Sequence, residues 1–195
     1  MDNIYNYLTE EEKKLTKTYS YEKGDIVFHE ETPCEEIGIV LKGKIKISTY
    51  SYQGKEIVYN HLEANDVFGN NLIFSSDPTY RGDILVLEKT EICFIKKNEL
   101  LTILGNNQNF LIHYLKRQSD FGKSLNSQIK ILGFESAEER FLYYLSINDN
   151  KIKIKSVTEL AERLFLSRET VSRLISKLEE KKEIKYENKI IEYIG

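Results

Sequence analysis

Arg168, Glu169, Ser172 and Arg173 fall at i, i+1, i+4 and i+5, a spacing that gathers four polar side chains on one side of a helix's first turns. Arg can donate bidentately to guanine, and Glu can accept from the amino group of the cytosine opposite. One Arg and one Glu side by side can therefore read a single G·C pair from both strands. The plain alternative is a solvated helix face. Their surroundings favour the first reading. Ser167 is a natural N-cap. Val171, Leu174, Ile175 and Leu178 mark an apolar face on the far side of the same helix, and Val157, Leu160, Ala161 and Leu164 mark a two-turn helix before it. Only Phe165-Leu166-Ser167 separates the two. A capped helix, a short turn and a second helix make a helix-turn-helix, whose second helix enters the major groove by its N-terminal end. Lys177 further along that helix, and Lys185 and Lys189 in the hairpin pattern from Ile184 to Ile191, are candidate phosphate contacts. Hairpin lysines are as a rule simply solvated.

The elements that must hold this helix are legible upstream. Ser136-Ala137-Glu138-Glu139 and Ser156-Val157-Thr158-Glu159 are capping boxes, the first opening a helix to about Ile147. Between them lie the turn cluster Asn148-Asp149-Asn150 and the alternating Lys151–Lys155 segment, which reads as a short strand. Leu111, Leu115, Gln118, Gly122, Leu125, Ile129 and Leu132 recur at steps of four and three, the seam of a coiled coil, and Gly133 breaks the run. Such a helix wants a partner, and a twin is the simplest one, giving a homodimer. Phe110, Tyr114 and Phe121 form a second apolar face for the chain's own N-terminal half. Because Gln118 and Gly122 weaken the middle of the seam, a helix buried wholly within one protomer stays open.

From Tyr21 to about Ile95, short apolar runs alternate with turn signals, the pattern of an all-β sandwich or barrel. Strands are expected at Glu36–Leu41, Lys44–Ser48, Glu56–Leu62, Asp83–Leu87 and Glu91–Ile95, with Lys42-Gly43 read as a hairpin turn.

The 195 residues are 41% hydrophobic and 30% charged, an ordinary globular balance. The net charge of −3 is unevenly spread. Residues 1–100 carry 12 basic and 18 acidic side chains, whereas 151–195 carry 11 and 8, so the positive end is the one a phosphate backbone would meet. No stretch is long and apolar enough for a membrane span, and Met1-Asp2-Asn3-Ile4 does not begin a signal peptide, so the cytoplasm is expected. Cys34 and Cys93 read as small buried hydrophobes, and no metal is expected. His29, His61 and His113 form no spaced metal pair. The enzyme that a small β-barrel would suggest is a cupin-like metal oxygenase, which needs an HxH pair and a nearby Glu; neither that nor a Ser/His/Asp or Gly-rich phosphate signature occurs, so no catalysis is expected.

Ser167-Arg168-Glu169-Thr170-Val171-Ser172-Arg173-Leu174 resembles the recognition helix of the CRP/FNR family of transcription regulators, with Arg168, Glu169 and Arg173 at its base-reading positions. The resemblance implies an inverted repeat of TGTGA-like half-sites. Ser172 resembles the FNR branch, where a TTGA-type half-site is read. The likeness continues through Lys23-Gly24-Asp25, Lys42-Gly43-Lys44, Gln53-Gly54-Lys55-Glu56 and Asp66-Val67-Phe68-Gly69, and so covers nearly the whole chain. It implies an α+β chain: a double-stranded β-roll (jelly roll) of the cyclic-nucleotide-binding kind over 1–106, a dimerisation helix over 107–133, and a winged helix-turn-helix over 134–195 with Ile184–Ile191 as the wing. Double-stranded DNA is the implied partner, with RNA polymerase if the protein activates. An effector would sit among Gly69, Asn70, Asn71, Arg81 and Gly82, with Leu125 and Asn126 on the long helix. Here Asn70 replaces the family's ribose-binding Glu, Gly82 stands where a hydroxyl is expected after the phosphate-binding Arg, and Leu125-Asn126 replace a base-holding Thr-Ser pair. The lost hydrogen bonds are worth about 0.5–3 kcal/mol each, which argues against cyclic AMP. A haem- or redox-responsive member of the same family stays open, although the iron–sulfur branch's N-terminal cysteine cluster is missing. The family carries Gly in the turn where this chain has Phe165, so that turn is expected to be built differently.

Overall fold

Gly43 is a corner that admits no other residue. Its φ is +91°, and an added Cβ would meet Thr90 Oγ1 at 2.3 Å and the Lys89 carbonyl at 2.5 Å. The strands on either side of it, β3 (Glu36–Lys42) and β4 (Lys44–Tyr50), do not pair with each other, which corrects the expected hairpin. The turn instead passes the chain from one sheet to another, because Thr90 takes the place a partner strand would hold: its hydroxyl accepts from the Lys44 amide at 3.1 Å.

In the computed structural model, which describes residues 3–195, the other strands of this half are β1 (Lys17–Tyr21), β2 (Ile26–Phe28), β5 (Glu56–Glu63), β6 (Val67–Phe68), β7 (Asp83–Val86) and β8 (Thr90–Lys96). They form two antiparallel four-stranded sheets, in the orders β1-β8-β3-β6 and β2-β7-β4-β5. Each expected strand is present, and β1, β2 and β6 are additional. Ile37, Ile39, Ile45, Ile84, Ile92 and Ile95 are wholly buried in the core of this half. Cys34 and Cys93 are buried free thiols, both pushed up in pKa by that burial.

A short helix, α1 (Glu10–Lys13), precedes β1, and α2 (Lys97–Asn106) follows β8. The long helix α3 runs Gln108–Gly133. Its early part packs on the β core through Phe110 and Tyr114, at 0% and 4% exposure. The chain divides into two compact units, one ending at Asp120 and the other spanning Phe121–Gly195, so the division falls inside α3.

The second unit holds α4 (Ala137–Ser146), α5 (Val157–Leu164), α6 (Arg168–Glu180) and a three-stranded antiparallel sheet β10 (Ile184–Glu187), β11 (Ile190–Tyr193), β9 (Lys151–Lys153), in that spatial order. The Ser136 capping box at α4 is complete, with each partner accepting the other's backbone amide. At α5 only half the expected box forms. Ser156 caps the Glu159 amide, but the Glu159 carboxylate turns to Arg163 at 3.0 Å. Phe141, Leu145, Leu160, Leu164, Val171, Leu178 and Ile191 build the core that fixes the three helices and the sheet against one another.

Candidate nucleic-acid interface

α5 stops because Phe165 adopts the left-handed conformation, φ 55° and ψ 42°. For a residue with a Cβ this costs roughly 1–2 kcal/mol. The expectation that Phe would force a different turn is therefore corrected: the chain keeps the left-handed cap and carries the strain. The surroundings hold it there. The Leu166 amide donates to the Ala161 carbonyl at 2.9 Å, Arg140 donates to the Phe165 carbonyl, and Leu164 and Val171 on either side are fully buried.

Two residues later Ser167 opens α6 by accepting from the Thr170 amide at 3.1 Å. Val171, Leu174, Ile175 and Leu178 are buried. Arg168, Glu169, Ser172 and Arg173 are all exposed on the other side, as the spacing predicts. Hydrogen bonds from its own backbone amide and from the Ser167 hydroxyl hold the Glu169 carboxyl below the usual carboxylate range, and the nearby Arg168 and Arg173 add to this. Glu169 thus offers an ionised acceptor between two guanidinium groups.

The candidate phosphate contacts differ in how free they are. Lys177 Nζ lies 2.7 Å from Glu138 Oε2, and the pair pushes the lysine's pKa up and the carboxyl's down. Lys185 pairs with Glu187 on its own strand at 3.1 Å. Lys189 is exposed in the turn between β10 and β11, where it and Asn188 have φ of 62° and 51°, the double left-handed form of a two-residue hairpin turn. Beside α6 lies a groove of about 340 Å³, lined by Ser136, Ala137, Glu138, Thr170, Arg173, Leu174 and Lys177. Glu138 and Thr170 are named by the sequence only within a capping box and a helix motif, and not as candidate contacts. Glu138 is 39 positions from the lysine it holds, so nothing local signals the contact.

The expected effector cradle is organised differently from the recognition helix. Gly69 has φ +76°, and a Cβ there would lie 3.0 Å from the Glu36 carbonyl. Asn70, 7% exposed, donates from Nδ2 to Gln118 Oε1 at 2.7 Å, and its carbonyl accepts from Gln118 Nε2 at 2.6 Å and from the Tyr114 hydroxyl at 3.1 Å. Burial pushes the Tyr114 hydroxyl up to about 12, so it acts as a neutral donor. Gln118, expected on the dimer seam, thus has its amide engaged with Asn70 inside the protomer. Asn71 and Arg81 are exposed, and Arg81 pairs with Asp77 at the surface. Gly82 is buried, with space for a Cβ closed by the Ser48 carbonyl at 2.8 Å. Leu125 and Asn126 are exposed on α3.

Of the other seam positions, Leu115, Leu125, Ile129 and Leu132 are exposed, Ile129 most of all at 66%, while Leu111 and Gly122 are partly covered. His113 stacks on Tyr7 with ring centroids 3.6 Å apart, and His29 lies 3.5 Å from Asp83. Among the described residues no three His, Cys, Asp or Glu side chains stand together as a metal-binding group, and no helix is long and apolar enough to cross a membrane.

Residues 18–107 match the cyclic nucleotide-binding domain, and residues 132–188 match the MarR family. The chain is 27% identical to the anaerobic regulatory protein of Bacillus subtilis over 191 residues, covering 92% of this chain and 80% of that protein. It is 21% identical over 187 residues to the cAMP-activated global transcriptional regulator CRP of Pasteurella multocida, covering 91% and 90%. A solved structure of a CooA mutant from Carboxydothermus hydrogenoformans has the same fold, with a TM-score of 0.74 at 22% identity over 93% of this chain and 84% of that one. With a domain of the cyclic nucleotide-binding kind followed by a winged helix-turn-helix in one chain, the protein has the fold and domain order of the CRP/FNR transcription regulators it is similar to.

Proposed function

We propose that the protein is a cytoplasmic, sequence-specific regulator that binds an inverted repeat of TGTGA- or TTGA-like half-sites as a homodimer. The observation that carries this reading is the joint exposure of Arg168, Glu169, Ser172 and Arg173 on the first turns of α6. Arg168 reads the first guanine of the half-site, and Glu169 with Arg173 reads the second G·C pair from both strands. Lys177, Lys185 and Lys189 supply phosphate contacts that set register without reading sequence. The exposed stripe Leu115, Leu125, Ile129 and Leu132 is the mating seam of α3, bringing two copies of α6 about 34 Å apart into successive major grooves. The division of labour is a sensor over 1–106, a dimerisation helix over 107–133 and a DNA-binding unit over 134–195. RNA polymerase is the further partner where the bound dimer activates. The chain performs no catalysis of its own.

The bonds between Asn70 and Gln118 favour an effector other than cyclic AMP, or none, because they spend the polar groups of the cradle within the protein. The test is binding of the purified protein, without added ligand, to a duplex carrying inverted TGTGA half-sites and to a scrambled duplex, across a series of salt concentrations. Preferential, salt-sensitive binding to the first is expected. Equal binding to both would refute the base-reading assignment.

A further inference from the structure

Arg173 and Lys177 on α6 and Lys181 at its C-cap follow one another at four-residue steps and form a basic row, the first two lining the groove. The other wall is the first turn of α4. There the reciprocal cap between Ser136 and Glu139 uses two of the backbone amides that would otherwise attract an anion. An anion is nonetheless present, supplied by the chain. Glu138 places Oε2 2.7 Å from Lys177 Nζ and Oε1 3.8 Å from Lys181 Nζ, and Lys181 is also 3.5 Å from Glu183. Both lysines and Glu138 remain open to solvent. An exposed ion pair of this kind adds little to folding stability. Its effect falls on charge, since it neutralises the lysines that extend the row beyond Arg173. A carboxylate and a phosphate make the same demand on a lysine, a short charge-assisted bond from the ammonium group to an anionic oxygen.

We infer that Glu138 is an internal competitor for the DNA phosphate backbone, holding Lys177 and Lys181 in the free protein and yielding them to a phosphate when α6 enters the groove. The inference rests on the reading of α6 proposed above. Because phosphate contacts carry no sequence information, the competitor weakens binding to every duplex and leaves base preference alone. Non-specific binding is almost entirely electrostatic and already weak, so an equal loss on every duplex leaves it negligible while specific binding persists.

The test is Glu138→Gln in the full-length protein, titrated with the inverted-repeat duplex and with the scrambled duplex over a range of salt, with circular dichroism to check the fold. Both duplexes should bind about three- to tenfold tighter at low salt, the ratio between them should hold, and the slope of log affinity against log salt should steepen by about 1. Lys177→Gln separates competition from simple repulsion. Its cost should be larger in the Glu138→Gln background than in the wild type, because only there is the lysine wholly available to phosphate. Unchanged affinity in Glu138→Gln, or an equal cost of Lys177→Gln in both backgrounds, overturns the inference. Arg173→Ala is measured alongside. If it weakens specific binding while Glu138→Gln does nothing, the competitor alone fails. If Arg173→Ala changes nothing, or the wild type shows no salt-dependent binding at all, the reading of α6 fails and takes the competitor with it.

Discussion

The first turns of α6 and the cradle after β6 hold similar numbers of polar side chains and use them in opposite ways. On α6 the charged groups stand in solvent, and the fold is held from the far side by Val171, Leu174, Ile175 and Leu178. In the cradle, Asn70, Gln118 and Tyr114 satisfy one another. A polar group left open at no cost to the core is available to an outside partner; one that closes a buried network is already part of the structure. The two regions therefore differ in where their recognition energy is directed, outward at one end of the chain and inward at the other.

The largest test of that contrast is Ile129→Glu. A charge in the exposed seam should convert the proposed dimer to monomers in sedimentation. It should also weaken binding to the inverted repeat by about two orders of magnitude or more, since the second recognition helix loses its high effective concentration. A variant that stays dimeric would mean that the outward-facing apolar stripe is not the mating surface. Next is Arg173→Ala, expected to cost about 1–3 kcal/mol of specific binding and to relax preference at one base pair in each half-site, measured by competition among single-base variants of the duplex. The unfolding midpoint should hardly move. Gln118→Leu reverses that signature. It leaves the buried Asn70 amide without its acceptor, so about 1–3 kcal/mol of stability should be lost in urea unfolding, with the dimer no tighter. A tighter dimer would place Gln118 on the seam after all and erase the distinction between the two regions. The smallest expected effect is that of cyclic AMP, which should leave the melting temperature and the DNA affinity unchanged. A melting temperature that climbs with the logarithm of ligand concentration would show the cradle to be open to that ligand.

What could be read from sequence follows the range of the interactions involved. The α6 face rests on helical period and a cap within a dozen residues, and every exposed and buried position there was legible. The strands of the β half were legible from alternation, but their partners were not. Lys42-Gly43 has the local chemistry of a hairpin, and only Thr90, nearly fifty residues away, makes it a corner between sheets. The Asn70–Gln118 contact spans 48 positions and the Glu138–Lys177 contact 39, distances over which no periodicity reports. Leu115, Leu125, Ile129 and Leu132 of the seam pattern are exposed, whereas Gln118 was ambiguous because a polar residue at a heptad position fits either a weak interface or a contact inside the protomer. Phe165 shows a different limit. The residue type argues against a left-handed turn, but packing on both sides outweighs roughly 1–2 kcal/mol of backbone strain.

Gly122 stands two positions beyond Asp120, where the first compact unit ends, and a Cβ on it would meet nothing within 4 Å. Glycine within a helix costs about 1 kcal/mol relative to alanine. Asp120 Oδ2, buried and without a hydrogen-bond partner among the described residues, adds to the local penalty. Local opening of α3 is thus easier around Gly122 than in the segment anchored on the β core. In hydrogen exchange, amides around Gly122 should lose protection through local opening before those around Phe110 and Tyr114, which are pinned to the β core. The long helix thus carries a soft point between the segment that packs on the β core and the exposed segment that follows.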